Sequence, residues 1–218
     1  MKNIEDCSDL NKRKVLLRLD LNVPLNGNKI KDSTRIDKIL PTLKYLIKRK
    51  SKIIIISHIG RPNGKFDKKL SMSPVCEYLS VKLNNEIELV DTRIFDLDPN
   101  SFFKINSEKI IFLENIRFYE QEEKNDEEFA KKLSNLGDIY VNDAFSCSHR
   151  AHASIDKITK FLPSYSGIQM NSEVNALKKV TSDIKKPITC IIGGSKISTK
   201  ISIIKNLIPK FENIIIVG

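Results

Sequence analysis

The chain has 218 residues, of which 40% are hydrophobic, and its 37 basic and 27 acidic residues give a net charge of +10. This apolar content excludes a disordered chain, and no apolar run approaches the roughly 18 residues that a membrane-spanning helix needs. The four cysteines are far apart with no CxxC pair, and the N-terminus lacks the apolar segment of a signal peptide. We therefore expect a reduced, cytoplasmic protein that does not act at a membrane.

The positive charge makes nucleic acid a candidate ligand. The lysines are scattered in short clusters such as Lys48–Lys50, however, and the aromatic residues are not interleaved with them as stacking platforms would be. We expect a solvated basic surface and no nucleic-acid partner. A steeply salt-dependent affinity for DNA or RNA would identify the alternative.

Apolar segments of strand length recur along the chain. They are Val15–Leu17, Ile53–Ile56, Ile110–Leu113, Ile139–Val141, Ile188–Ile192 and Ile214–Val217. Most are continuous rather than alternating with polar residues, which is typical of strands buried on both faces of a parallel sheet.

Helical patterns lie between several of these segments. Apolar residues within Ile36–Ile47 follow helical spacing, although Pro41 predicts a kink or a late start. Ser73 is predicted as an N-cap with Pro74 as the first helical residue, and Asn125–Glu128 opens a third helix like a capping box. Strands that alternate with helices predict an α/β fold, with a three-layer, Rossmann-like parallel sheet flanked by helices.

A change of pattern near residue 170 predicts a domain boundary. A polar-faced helix over about Asn171–Ser182 leads through Pro187 into a new strand. We divide the chain into an N-terminal domain (1–169), an interdomain linker helix (170–186) and the beginning of a second α/β domain (187–218). Two strands and one helix cannot bury their own apolar faces, so we expect the second domain to be incomplete.

Polar and charged residues directly follow the predicted strands. Ligands of open α/β sheets bind beyond the carboxyl ends of the strands, which parallel neighbours place at one edge. The residues at or near these exits are Asp20, Asn22, Arg35, His58, Gly60, Arg61, Arg117 and Arg150. A single strand-end arginine is usually a solvated surface residue, but a cluster of four is suited to bidentate binding of phosphate and carboxylate. The pattern predicts a site for a small molecule with several negative charges.

A second candidate anion site lies in the last part of the chain. Gly193, Gly194 and Ser195 link a predicted strand to a helix that carries Lys196 and Lys200 on one face. Glycine lets the backbone approach a phosphate closely, and helix N-termini attract anions. The GxxxxGK[ST] spacing of a P-loop is absent.

A zinc site is the alternative interpretation of one further motif. Cys147, His149 and His152 follow a C-x-H-x-x-H spacing, but no fourth ligand of suitable spacing lies nearby. We interpret the segment as an anion-binding loop and expect no metal bound by protein ligands.

Together these stretches resemble phosphoglycerate kinases over the whole chain. The shared motifs occur in the family's order: RLDLNVP at 18–24, STRI at 33–36, SHIGRP at 57–62, ENIRF at 114–118, NDAF and HRAH within 142–152, and GGSKISTK at 193–200. The resemblance implies a monomeric, hinge-bending kinase of two domains. Such an enzyme transfers a phosphoryl group reversibly between 1,3-bisphosphoglycerate and ADP, with Mg²⁺ carried by the nucleotide.

The resemblance also implies roles for individual residues. The residues that would bind 3-phosphoglycerate are Asp20, Leu21, Asn22, Arg35, His58, Ile59, Gly60, Arg61, Arg117 and Arg150. The residues that would bind ADP or ATP are Gly193, Gly194, Ser195, Lys196 and Lys200. Arg35 and Lys196 would be catalytic because they stabilise the phosphoryl group in transfer.

Two departures from the family limit this expectation. Thr199 occupies a position where many members have aspartate, and the chain ends at Gly218, inside a strand that precedes much of the family's nucleotide domain. We therefore expect a truncated chain that retains 3-phosphoglycerate binding and has weak or no catalytic activity alone. The alternative from another class is a non-catalytic polyanion-binding module.

Overall fold

The computed structural model describes residues 2–98, 102–103, 108–182, 184–194 and 201–217, without the side chain of Ile203. The chain separates into two units, residues 1–171 (unit 1) and 172–218 (unit 2). No helix in the described ranges is long and apolar enough to cross a membrane.

The secondary structure alternates between strands and helices along most of the chain. The strands are β1 (Lys2–Asn3), β2 (Lys14–Leu19), β3 (Leu25–Asn26), β4 (Lys29–Ile30), β5 (Lys52–Ile56), β6 (Ile87–Val90), β7 (Ile110–Leu113), β8 (Ile139–Asp143), β9 (Ser164–Ser166), β10 (Thr189–Gly193) and β11 (Asn213–Val217). The helices are α1 (Thr34–Lys48), α2 (Ser73–Leu83), α3 (Glu120–Glu123), α4 (Glu127–Ser134), α5 (Ile168–Thr181) and α6 (Ile201–Leu207).

Within the described part of unit 1, seven strands form one sheet in the order β1-β9-β8-β2-β5-β7-β6. Every adjacent pair is parallel, with Val15 of β2 opposite Ile53 of β5 and opposite Ile139 of β8. The predicted parallel α/β sheet is therefore confirmed. Its four central strands are β8, β2, β5 and β7, and these carry four of the six apolar segments identified in the sequence.

Helices cover both faces of this sheet. Ile53 and Ile55 of β5 belong to the apolar cluster that contains the inner faces of α1 and α2, whereas Ile54 and Ile56 belong to the cluster that contains α4. All four side chains are almost fully buried. Burial on both faces explains why the strand is continuously apolar, and it confirms the three-layer arrangement.

Two helix starts differ from the prediction. Pro41 lies inside α1 on an exposed position without ending the helix, since Leu43 and Leu46 beyond it are fully buried against the sheet. The N-cap of α2 is Met72 rather than Ser73, because the Met72 carbonyl already accepts hydrogen bonds from the backbone of Val75 and Cys76. Helix α1 therefore accommodates Pro41 in its interior, and α2 begins one residue earlier than predicted.

The start of α5 is fixed by the carboxyl end of β8. Asp143 accepts hydrogen bonds from the backbone amide of Met170, at 2.7 Å, and from the hydroxyl of Thr42. A side chain at Gly167 would collide with the Asp143 carboxylate, so a glycine is required there. The helix consequently begins at Ile168, earlier than the predicted Asn171.

Unit 2 contains β10, β11 and α6 among its described residues. The two strands pair in parallel, from Thr189 opposite Asn213 to Gly193 opposite Val217. Apolar side chains on these elements are strongly exposed, with Ile191 of β10 at 68% and Ile216 of β11 at 49% of their full accessibility. This exposure agrees with the expectation that these few elements do not bury their own apolar faces.

Candidate active site

The carboxyl ends of the four central strands meet at one edge of the sheet, which we call the rim. The rim comprises the segments that follow β2, β5, β7 and β8, and those strands are direct neighbours in the sheet. Ser57 joins two of the segments, since its hydroxyl donates to the Leu19 carbonyl at 2.8 Å and accepts from the Leu21 amide at 3.1 Å. The predicted convergence of the strand exits is therefore present in the fold.

Asp20 organises the exposed side of the rim. Its carboxylate forms an ion pair with Arg35 from the first turn of α1 and accepts a hydrogen bond from Ser146 in the segment after β8. The side chain of Asn22, two residues on, accepts a hydrogen bond from the backbone amide of Gly60 at 2.9 Å. Both residues tie separate segments together and keep the exposed Arg35 guanidinium at the rim.

Gly60 makes the turn that presents the segment after β5. Its φ of +64° lies in the left-handed region, and an added Cβ would lie only 2.7 Å from a Leu70 methyl carbon. The flanking carbonyls are used as acceptors: Asn115 Nδ2 donates to Ile59 at 2.8 Å, and Arg117 Nη1 donates to Gly60 at 3.0 Å. Arg61, which follows this turn, is exposed.

Arg18, which the site prediction missed, lies under the rim. It is the fifth residue of β2 and fully buried, and it donates from Nε to Ser154 Oγ at 3.0 Å and from Nη1 to the Leu19 carbonyl. Its Nη2 lies 3.1 Å from His58 Nδ1. A guanidinium only donates, so Nδ1 accepts and the neutral imidazole carries its proton on Nε2.

Glu122 of α3 is the acidic counterpart of Arg18. It is fully buried, and it accepts from the Ser154 hydroxyl at 2.6 Å and from the Ser154 amide at 2.8 Å. His152 Nδ1 lies 3.8 Å from the same carboxylate. Burial raises the pKa of Glu122, and the nearby Arg18 opposes that rise. Ser154 thus connects the buried Glu122 carboxylate to the buried Arg18 guanidinium.

Arg117 carries positive charge close to this network. It is 2% exposed, and its Nε lies 3.3 Å from Glu123. Its Nη2 is buried and has no hydrogen-bond partner within the described residues. A buried guanidinium nitrogen of this kind is costly unless a ligand or water accepts from it.

His58 experiences this concentration of positive charge directly. Burial, together with Arg18, Arg117 and Arg150, lowers the pKa of His58 to about 2. The imidazole is therefore neutral over the physiological range and offers its Nε2–H as a hydrogen-bond donor. Arg150 is half-buried in the segment after β8, so Arg117, Arg150 and His58 are brought together as predicted.

Three potential metal ligands also meet at the rim. Ligand atoms of Asp20, His58 and Cys147 lie within 4.8 Å of one another. The positive charges of Arg18, Arg117 and Arg150 act on His58 and disfavour a cation at this position. We assign this set to the anion site, and the expectation of no protein-bound metal stays a prediction.

The predicted nucleotide residues are only partly described. Gly193 ends β10, and Gly194 follows it with a φ of +125°, which suits glycine. Ser195, Lys196 and Lys200 lie outside the described residues. The binding role of this segment stays a prediction.

Comparisons with known proteins agree with the fold and the motifs. A sequence model of the family described as phosphoglycerate kinase matches residues 4–218. A phosphoglycerate kinase of Wolbachia sp. subsp. Drosophila simulans (strain wRi) is 48% identical over 216 residues, covering 99% of this chain and 54% of the relative. One from Coprothermobacter proteolyticus is 45% identical over 220 residues, covering 100% of this chain and 56% of the relative.

A solved structure shows the same likeness in three dimensions. The structure of phosphoglycerate kinase from Coxiella burnetii superposes with a TM-score of 0.88 at 36% identity, covering 99% of this chain and 54% of that one. The present chain spans about half the length of the curated relatives it matches.

We predict that Arg18 and Glu122 stabilise the fold cooperatively. Arg18→Met and Glu122→Gln should each lower the free energy of unfolding by roughly 3–5 kcal/mol, because each leaves a buried polar partner uncompensated. The double variant should lose at least about 1 kcal/mol less than the sum of the single losses. Denaturant unfolding of the wild type, the two single variants and the double variant measures this coupling.

The exposed Glu120–Lys124 pair is the control, with much smaller coupling expected. Additive losses at Arg18 and Glu122 would show that the two residues act independently.

We predict that His58 makes the protein less stable as the pH falls. The unfolded chain takes up a proton as the pH falls through about 6.5, whereas folded His58 stays neutral, so the free energy of unfolding decreases. Between about pH 7.5 and about pH 5.5 this contribution is about 1.4 kcal/mol. Urea unfolding of the wild type and of His58→Gln at both pH values isolates it from other titrating groups. An identical pH dependence in the two proteins would contradict the neutral assignment.

Proposed function

We propose, because the chain belongs to the phosphoglycerate kinase family, that its rim binds 3-phosphoglycerate and serves phosphoryl transfer between 1,3-bisphosphoglycerate and ADP. The observation that carries the proposal is the buried Arg117 Nη2 with no acceptor within the described residues. The charges of Arg117 and Arg150 both act on the neutral His58. A phosphate or carboxylate oxygen placed there would accept from several fixed donors at once.

The other rim residues fit complementary roles in binding the same molecule. Arg35, which Asp20 holds at the rim, and Arg61 are both exposed and would bind the second anionic group. Asp20 and Asn22 would accept from the substrate hydroxyl or keep the arginines in place. The backbone of Leu21, Ile59 and Gly60 would form the floor, since its position is fixed by the contacts with Ser57, Asn115 and Arg117.

Phosphoryl transfer would demand positioning and charge stabilisation rather than covalent catalysis. The acceptor carboxylate or ADP phosphate is already ionised, so no general base is required. Arg35 and Lys196 would stabilise the oxygens of the transferring phosphoryl group, and Gly193, Gly194, Ser195 and Lys200 would contact the nucleotide phosphates. Mg²⁺ is typically held by substrate phosphates and retained water, and it would arrive with the nucleotide and neutralise phosphate charge.

The proposal includes the domain division given by the sequence. Residues 1–169 would be the 3-phosphoglycerate-binding domain, 170–186 the linker helix, and 187–218 the start of the nucleotide-binding domain. On this proposal the protein would be a monomer that acts in the cytoplasm on these small molecules, with no nucleic-acid partner.

Calorimetric titration with 3-phosphoglycerate tests the binding step. We expect one saturable site, and we expect Arg35→Ala, Arg61→Ala and Arg150→Ala each to weaken it by at least about tenfold, because each removes a charged donor. Arg49→Ala is the matched control, since Arg49 follows α1 at the opposite edge of the sheet and donates to the carbonyls of Cys7 and Ser8.

Two results would contradict the binding proposal: the absence of saturable heat, or an equal loss of affinity in Arg49→Ala and the rim variants. Formation of ATP from 1,3-bisphosphoglycerate and ADP, followed in a coupled assay, tests the transfer step separately. Intact 3-phosphoglycerate binding without ATP formation would overturn the transfer step for this chain and support the non-catalytic alternative.

A further inference from the structure

A cavity of unit 1 lies at the opposite edge of the sheet from the rim. We call it the basal pocket and define it by Lys12, Lys48, Lys50 and Lys52, and its volume is about 730 Å³. Lys52 begins β5, Lys12 lies shortly before β2, and Lys48 ends α1. The pocket therefore lies at the amino ends of the central strands, where the proposed phosphoglycerate site has no residues.

The charge of the basal pocket is strongly positive. Four lysines face a single acidic residue, Glu108, among the described lining residues. The carboxyl end of α1 favours positive charge and accounts for Lys48. It does not account for Lys12 or Lys52, which come from other segments. Like charges from separate segments repel one another unless an anion lies between them.

The backbone that carries two of these lysines is left-handed. Lys12 has a φ of 60° and Lys50 a φ of 55°, and glycine or asparagine adopts this conformation at less cost than lysine does. The two residues are joined directly, since the Lys12 amide donates to the Lys50 carbonyl at 2.9 Å. Backbone strain at joined positions tends to occur at functional sites, and here it places two ammonium groups beside one cavity.

The other lining residues indicate that the ligand also has an apolar part. Ile47 is half-buried and contributes apolar surface next to the almost fully buried Ile53 and Ile110, and Ser51 and Asn85 contribute polar groups. The Nζ of Lys52 lies 5.3 Å from the centre of the Phe103 ring, which holds this side chain near the pocket. A cavity of this volume accommodates a molecule of mononucleotide size.

We propose that the basal pocket binds a small organic polyphosphate that carries an apolar ring, such as a nucleoside polyphosphate. The lysines contact the phosphate groups, and Ile47 contacts the ring. Lysine suits this task because its flexible, point-like charge adapts to the several oxygens of a polyphosphate chain. The assignment is independent of the proposed function, since no rim residue lines the pocket.

Titration of the full chain with ATP, followed by amide NMR shifts of Ser51 and Asn85, tests the assignment. Shifts at Gly193 and Gly194 report the proposed nucleotide site separately. Lys12→Asn/Lys50→Asn removes two charges while keeping residues that tolerate the left-handed backbone, so the variant is expected to fold. We expect it to weaken the response at Ser51 and Asn85 by at least about tenfold.

Lys131→Gln/Lys132→Gln is the matched control, because it removes the same charge from exposed positions on α4. We expect it to change the affinity at the pocket by less than about twofold. Equal weakening in both double variants, or no saturable shift at Ser51 and Asn85, would overturn the proposal. Inorganic triphosphate is expected to bind several-fold more weakly than ATP; equal affinity would overturn the assignment of a ring-bearing ligand.

Discussion

The burial of the Arg18 guanidinium is the constraint on which the rest of unit 1 depends. A charged group without exposure to water must be paired and hydrogen-bonded, or it destabilises the fold by several kcal/mol. Arg18 meets this requirement through Ser154, which is itself fixed by Glu122, and through the Leu19 carbonyl. Strand β2, helix α3 and the segment after β8 are therefore held in one arrangement by a single requirement.

The same network decides which ligands the rim favours. Arg18 donates to Nδ1 of His58, and with Arg117 and Arg150 it makes protonation of that imidazole unfavourable. The rim thus holds several fixed positive groups and one neutral donor, with Glu122 buried beneath them rather than facing outward. An anion relieves the repulsion among the guanidinium groups, whereas a cation would add to it. The preference for an anion therefore comes from buried groups, namely Arg18, His58 and Glu122. A cluster of solvated surface arginines has no such groups.

The sequence predicts those parts of the site whose residues directly follow a recognisable strand segment. Continuous apolar segments identify the central strands, and the parallel-sheet rule then places His58, Arg61 and Arg117 at one edge. Glu122 is different, because it lies among other acidic residues in the sequence and only tertiary contacts bury it. Arg18 did carry a signal, since an arginine inside an apolar strand is rarely fully buried unless it is paired. The edge strand β6 escaped prediction because the exposed Glu88 interrupts its apolar residues, so it carries no continuous apolar segment.

The two edges of the sheet use different cations for a physical reason. At the carboxyl edge, the Nη1 of Arg117 donates to the Gly60 carbonyl and leaves Nη2 in a fixed direction, so a ligand must match a rigid fork. At the amino edge, Lys12 and Lys50 are fixed through their backbone, while their side chains keep rotatable ends. Rigid donors discriminate among anions of similar charge, because a misplaced oxygen leaves a buried donor unpaired. Flexible donors respond mainly to total charge. Selectivity for one small substrate is therefore expected at the carboxyl edge, and tolerance of related polyphosphates at the amino edge.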